Sequence, residues 1–271
     1  MNLGAYGLRL DGIPHDPSLP VADPGWETWE LVAARVTSGH STLDVRNISG
    51  LPGHHLAFDW DSRQVQLVSP VPLQPEALIH PWFTTISAVV AARRGRDTFH
   101  AGGVVVEGRV WALLGAKEAG KTSSCLALAH RGFASIGDDL VVVDGTHALT
   151  GSATFDLRET AAKHFGIGTL MELLPDRHRW RVALPAAPLP SYPLAGFIEP
   201  VWSDTAGVHR VPLLEGLSVL SQNMYVTTVE GRAQRMLDLA TLPVLRWARP
   251  RSWPDLDASL DTLVSALERQ S

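Results

Sequence analysis

The octapeptide Gly115-Ala116-Lys117-Glu118-Ala119-Gly120-Lys121-Thr122 leaves this chain few architectures. It satisfies the pattern G-x-x-x-x-G-K-[ST] at every specified position. An apolar segment of strand length, Val110 to Leu114, precedes it, and Ser123 to His130 follows with a helical pattern. Gly115 and Gly120 permit backbone conformations that a side chain would obstruct. Successive amides can then line a concave anion site, to which the following helix adds its own free N–H groups. The pattern assigns the phosphate contacts to Gly115, Ala116, Lys117, Glu118, Ala119, Gly120, Lys121, Thr122 and Ser123. Lys121 reaches the β- and γ-phosphates, and the Thr122 hydroxyl ligates Mg²⁺. ATP or a close relative, with Mg²⁺, is the expected ligand.

The totals exclude several classes. At 271 residues the chain suits one large domain or two modest ones. Its 45% hydrophobic and 19% charged residues describe an ordinary globular protein. A net charge of −5 offers no global field for nucleic acid or an anionic membrane. The clusters Arg93-Arg94-Gly95-Arg96 and Arg246 to Arg251 read as solvated element ends. Cys125 is the single cysteine, so no intramolecular disulfide forms. That suits a reducing compartment, and a cytoplasmic location is expected. Neither a signal peptide nor a run of about 18 apolar residues is visible.

Along the chain, residues 1–75 read as a small β-rich N-terminal region. Strands are expected near Tyr6–Leu10, Trp29–Val36 and Ser41–Val45, with a hairpin over His55–Leu67 turning at Asp59–Arg63. Residues 76–271 read as the phosphate-loop domain. A helix is expected over Pro75–Arg94, with Leu78, Trp82, Ile86, Val89 and Val90 near one face. Gly102–Val106 and Arg109–Leu114 flank a Glu107-Gly108 turn. Strand material surrounds Asp138-Asp139. Further on, helices are expected at Leu157–Phe165, Leu214–Met224 and Leu256–Leu267. Strands are expected at Trp180–Leu184, Leu194–Val201 and Leu242–Trp247. Pro185 to Pro193, with four prolines, reads as an extended connector. Interleaved strands and helices make the fold class α/β.

Asp138 and Asp139 close a short apolar strand after the loop's helix, where phosphate-loop proteins keep an acidic partner for the metal. On a continuous strand they would face opposite ways; in a turn both could face the nucleotide. One acid can hold Mg²⁺ while the other accepts a proton from an attacking hydroxyl.

The assembled order resembles the HPr serine kinase/phosphorylase-like kinases. It runs through Phe99-His100-Ala101-Gly102, Val104–Val106, Gly115–Thr122, Leu126–Gly132 and Ile136-Gly137-Asp138-Asp139-Leu140-Val141. The resemblance covers about residues 97–145 and extends more thinly to Phe155–Arg158 and Val244–Trp247. It implies an α/β phosphate-loop kinase core of the HPr kinase (PEP carboxykinase-like) type. It also implies that Asp138 is the catalytic base and that Asp139 joins Thr122 at Mg²⁺. His100 would lie near Asp138 and orient it, and Arg158 would meet charge on the transferring group. Glu118 is expected to face solvent, since an acid turned inward would oppose phosphate. The sequence shows no match to the second signature stretch through which HPr kinases engage their protein substrate and run the reverse phosphorolysis, so neither property is implied here. Shorter relatives belong to peptide-modification pathways, lasso peptides among them, where a precursor serine is phosphorylated. The resemblance therefore implies a peptide acceptor. A small-molecule alcohol kinase, a non-catalytic nucleotide-binding regulator and a motor-like NTPase stay open beside it, as does homo-oligomerisation.

Overall fold

The computed structural model describes residues 3–34, 44–47, 53–174, 177–226 and 232–270. The chain opens with β1 (Leu8–Asp11), β2 (Glu27–Ala34), β3 (Asp44–Asn47), β4 (His55–Asp59) and β5 (Gln64–Val68). These form one five-stranded sheet in the order β1-β2-β5-β4-β3. β4 and β5 make the hairpin read from the sequence, and the Asp59 carboxylate accepts the turn N–H groups of Asp61 and Ser62. Of the expected strands, Arg35, Val36 and Ser41 to Leu43 lie outside the described residues.

The helix expected over Pro75–Arg94 is broken. It comprises α1 (Pro75–Ala77), a kinked segment (Leu78–Phe83) and α2 (Thr84–Arg93). His80 takes extended angles, φ −146° and ψ 127°, because Pro81 follows it. A proline ring disfavours the α conformation in the residue before it and supplies no N–H. The break turns His80 out of the helix pattern, a matter of consequence below.

Then come β6 (Asp97–Phe99), β7 (Gly102–Val106), β8 (Arg109–Leu113), α3 (Lys121–His130), β9 (Ser135–Gly137), β10 (Val141–Asp144) and β11 (His147–Leu149). β12 (Thr154–Leu157), α4 (Glu159–Phe165), β13 (Thr169–Leu174), β14 (Arg177–Ala183) and β15 (Ser191–Trp202) follow. The chain closes with β16 (Gly207–Arg210), α5 (Leu213–Gln222), α6 (Arg232–Ala240), β17 (Val244–Arg249) and α7 (Leu256–Glu268). The β7–β8 turn holds Glu107 and Gly108 at φ 49° and 70°, the left-handed pair that matches strand twist. Sequence periodicity did not disclose β6, β11, β12, β13, β16 or α6, and Leu157, expected to open a helix, closes β12. Four of these strands are four residues or shorter.

The result is a mixed α/β architecture with several sheets. The central sheet has nine strands in the order β6-β10-β11-β15-β8-β7-β9, with β17 beside β15 and β16 beside β17. β8, β15 and β17 run parallel to one another, and the other pairings in this sheet are antiparallel. A three-stranded antiparallel sheet, β12-β14-β13, stands apart from it.

Alternation along β8 shows how the layers form. Val110, Ala112 and Leu114 enter a core with Val219 and Leu220 of α5 and Met236 and Leu239 of α6. Trp111 and Leu113 enter another with Leu126 and Leu128 of α3 and Leu260, Leu263 and Leu267 of α7. A third core unites Leu8, Trp29, Phe58 and Leu67 of the N-terminal sheet with Ile86 and Val90 of α2 and with Leu140 and Val142. Residues on both sides of position 75 thus share one apolar cluster.

Candidate active site

The phosphate loop leaves β8 and enters α3. Gly115 has φ 124° and Gly120 has φ 85°, values that favour glycine. A Cβ on Gly120 would lie 2.3 Å from Nη2 of Arg249. The Gly115 N–H donates to Oδ1 of Asn223 at 2.8 Å. Ser124 N–H donates to the Gly120 carbonyl at 3.0 Å, which starts the helix. Lys121 is buried, and its ammonium donates to the carbonyls of Gly115 (2.6 Å) and Ala116 (3.4 Å). Burial lowers the Lys121 pKa against the pull of Asp139 and Asp138. Ala116 and Lys117 are exposed, and Ala119, Thr122 and Ser123 are half-buried.

Glu118 faces solvent. Its carboxylate pairs with Arg158 at 2.9 Å and with Arg251 at 3.8 Å, on the outer lip of the loop. Arg158, about half exposed, therefore sits at the rim, tied to Glu118.

Between β9 and β10 the chain makes a tight turn through the two acids. Gly137 has φ 150°, Asp139 takes φ 23°, and the Leu140 N–H bonds the Asp138 carbonyl. A left-handed φ at a non-glycine residue costs about 1–3 kcal/mol and persists only where the surroundings impose it. Asp138 is buried beside Cys125, and its Oδ1 lies 3.3 Å from where a Gly102 Cβ would stand. Among the described residues that oxygen has no hydrogen-bond partner. Burial, followed by the charge of Asp139, pushes the Asp138 pKa up to about 8. The Thr122 side chain of the loop opposes that rise, lowering the carboxyl's pKa.

Asp139 has the opposite environment. Burial would raise its pKa, but a hydrogen bond from His80 and the charges of His80, His100 and Lys121 hold it well below the usual carboxylate range. Nε2 of His80 stands 3.3 Å from Oδ2 of Asp139 and 3.7 Å from Oδ2 of Asp156. Nδ1 of His80 lies 3.2 Å from the Thr84 hydroxyl. Burial opposes protonation of His80, and the two carboxylates more than offset it, so its pKa is raised. Behind it, Arg181 grips Asp156 with two bonds of 2.8 Å and donates to the His80 carbonyl at 2.8 Å. Asp156 and Arg181 face each other across β12 and β14.

His100 stands at the acidic turn, beside the residue next to Asp138. Its Nδ1 donates to the backbone carbonyl of Asp139 at 3.1 Å, and its own N–H donates to the Asn223 carbonyl at 2.8 Å. It braces the turn from the Asp139 side and makes no hydrogen bond to the Asp138 carboxyl. Burial, followed by the Lys121 charge, lowers its pKa.

These residues fit a polyphosphate with Mg²⁺. The cradle leaves no room for a side chain at Gly120, and the buried Oδ1 of Asp138 is unpartnered. No group of three or more His, Cys, Asp or Glu able to hold a metal ion occurs among the described residues. Mg²⁺ takes one or two side chains and completes its shell with phosphate and water. Thr122 and Asp139 are the side chains that would hold it.

No protein-family model matches the chain, and no curated protein sequence does. A solved structure does. It is the HPr(Ser) kinase/phosphatase from Coxiella burnetii, 12% identical, covering 65% of this chain and 99% of that chain, with a TM-score of 0.33. At that score the superposition is too loose to transfer any residue's role. Among the described residues no helix is long and apolar enough to cross a membrane.

Several site residues escaped the sequence reading. His80 was counted with a helix, although Pro81 was the signal against it. Asn223 is one polar residue at a helix end, and its bond to Gly115 spans 108 positions. Tyr6, at φ 58°, runs its ring against Gly151 and Gly137, beneath the acidic turn. The reading of Arg246–Arg251 as solvated also needs correction. Arg249 is 4% exposed, and Arg246 pairs with Glu199 and Glu215.

Proposed function

We propose that this chain is an ATP- and Mg²⁺-dependent phosphotransferase whose acceptor is an alcohol, the serine hydroxyl of a peptide. The reading is carried by one observation: a buried carboxyl with a free oxygen, Asp138, within electrostatic reach of Thr122 and Lys121 of the glycine loop. Bound MgATP supplies the transferable phosphoryl group and the cation that neutralises its charge. The loop amides and Lys121 bind and orient the phosphates. Thr122 and Asp139 hold the metal, and His80 keeps Asp139 ionised and aimed. Asp138 accepts the proton of the acceptor hydroxyl as the new O–P bond forms and the bond to the leaving ADP breaks. A base whose pKa lies near neutrality is matched to that task. The peptide acceptor, of the modified-precursor kind that includes lasso peptides, rests on the resemblance of residues 97–145 to kinases of that group.

The experiment is intact-mass analysis of serine-containing peptides and of hydroxylated metabolites after incubation with MgATP. Gain of one phosphate on a peptide is expected from the natural chain. Asp138→Asn should bind nucleotide but transfer nothing. Normal turnover by that variant would remove Asp138 as base. Phosphorylation of metabolites alone would move the assignment to a small-molecule kinase, and nucleotide binding with no product would make the chain a regulator.

A further inference from the structure

Behind the phosphate loop lies a buried cation that the proposed chemistry does not use. Arg249, the last residue of β17, is sandwiched between the indoles of Trp202 (4.2 Å to the centroid) and Trp247 (4.4 Å). Its Nη2 donates to the Ala119 carbonyl and to the Ser124 hydroxyl, both at 3.1 Å. Its Nε has no hydrogen-bond partner among the described residues. Nor does any carboxylate there pair with it; the nearby Glu118 pairs with Arg158 and Arg251 instead. Burial alone lowers its pKa to about 10. A buried charge without a counter-ion is costly, and proteins rarely keep one.

The contacts decide where the loop's donors point. In a trans peptide the carbonyl and the next N–H face opposite ways. Arg249 holds the Ala119 carbonyl on the outside, so the Gly120 N–H is turned to the inner side. The Gly120 carbonyl is held by Ser124, through N–H (3.0 Å) and Oγ (2.8 Å), and Arg249 binds that same Oγ. The Lys121 N–H is thereby turned inward as well. Trp202 closes the clamp by donating from Nε1 to the Glu118 carbonyl at 3.1 Å.

We propose that Arg249, gripped by Trp202 and Trp247, is a positioning residue that aims the loop amides at a nucleoside polyphosphate and lends that anion its unneutralised charge. The proposal rests on the polyphosphate-binding reading above. It explains why a cation is kept where apolar filling would pack better: its counter-ion is the ligand.

The test compares ATP, ADP and AMP binding by calorimetry, with ligand-free melting, in the natural chain, Arg249→Met, Arg249→Lys and Trp202→Leu. Arg249→Met should weaken ATP by about tenfold or more and AMP by less than about threefold. Its ligand-free melting temperature should stay level or rise, because a lone buried charge gives way to an apolar chain between two rings. An arginine kept for packing would instead lower melting and leave the phosphate series flat. Arg249→Lys should recover part of the ATP affinity. If Arg249→Met fails to fold, the half-exposed Trp202→Leu decides, with an expected loss of about threefold for ATP. ATP binding equal to the natural chain, or an equal loss for ATP and AMP, would overturn the proposal. A natural chain that binds no ATP would overturn the phosphotransferase reading and this proposal with it, an outcome separable from the variant result.

Discussion

At the scale of the residue, two adjacent aspartates with the same intrinsic acidity are driven apart by position alone. Asp138 lies against Cys125 and Gly102 with one oxygen unpartnered, whereas Asp139 receives His80. The difference has a thermodynamic signature in the ligand-free protein. The folded pKa of Asp138 lies near 8, above that of an unfolded aspartate near 4. Below about pH 4 both states carry the proton, so folding feels nothing. Between about pH 4 and pH 8 the unfolded chain is ionised and the folded chain still holds its proton, so stability falls as pH rises. Asp138→Asn cannot ionise. Its melting temperature should match the natural chain near pH 4 and exceed it by several degrees at pH 8, by calorimetry across that range. Parallel curves would show Asp138 to be ionised in the fold. The sequence made the pair visible as an acid doublet after a strand, but not its division of labour. That division comes from Thr122, His80 and Cys125, which are distant in sequence and carry no local pattern toward the acids.

Among the elements, the broken helix matters most. A helical pattern over Pro75–Arg94 was legible, yet Pro81 makes His80 extended and brings its ring to Asp139. Asp156 and Arg181 then secure it from the β12–β14 pair. This cross-strand ion pair is buried on both sides, with side chains 8% exposed. Removing one member leaves the other charge without its partner, at a cost of about 3–5 kcal/mol. Arg181→Met should therefore lose roughly that much stability by urea unfolding, while the double variant Arg181→Met with Asp156→Leu regains most of it. Transfer activity should stay low in the double variant, since His80 has lost its rear support. Recovery of full activity would reduce the network to packing. The hairpin β7–β8, the loop and α3 were readable because each rests on local chemistry: turn residues, glycines and a helix start. The strands β6, β11 and β16 were not, because three or four residues become strands only through their neighbours.

For the whole molecule, the division at residue 75 marks a change of composition, whereas the core crosses it. Leu8, Trp29, Phe58 and Leu67 share a cluster with Ile86, Val90, Leu140 and Val142. Tyr6 reaches further, its ring on Gly137 and Gly151 and its N–H on the Thr150 carbonyl. Residues 76–271 expressed alone should thus lack cooperative melting and bind the apolar dye ANS. A sharp transition for that piece would make the N-terminal region an appendage. The long strand β15 has a related effect at this scale. It is bonded to β8 under the phosphate loop, to β17 that ends in Arg249, and to β11 next to the residues that seat Tyr6. The bank that carries the glycine loop is thus built on a beam pinned at three places.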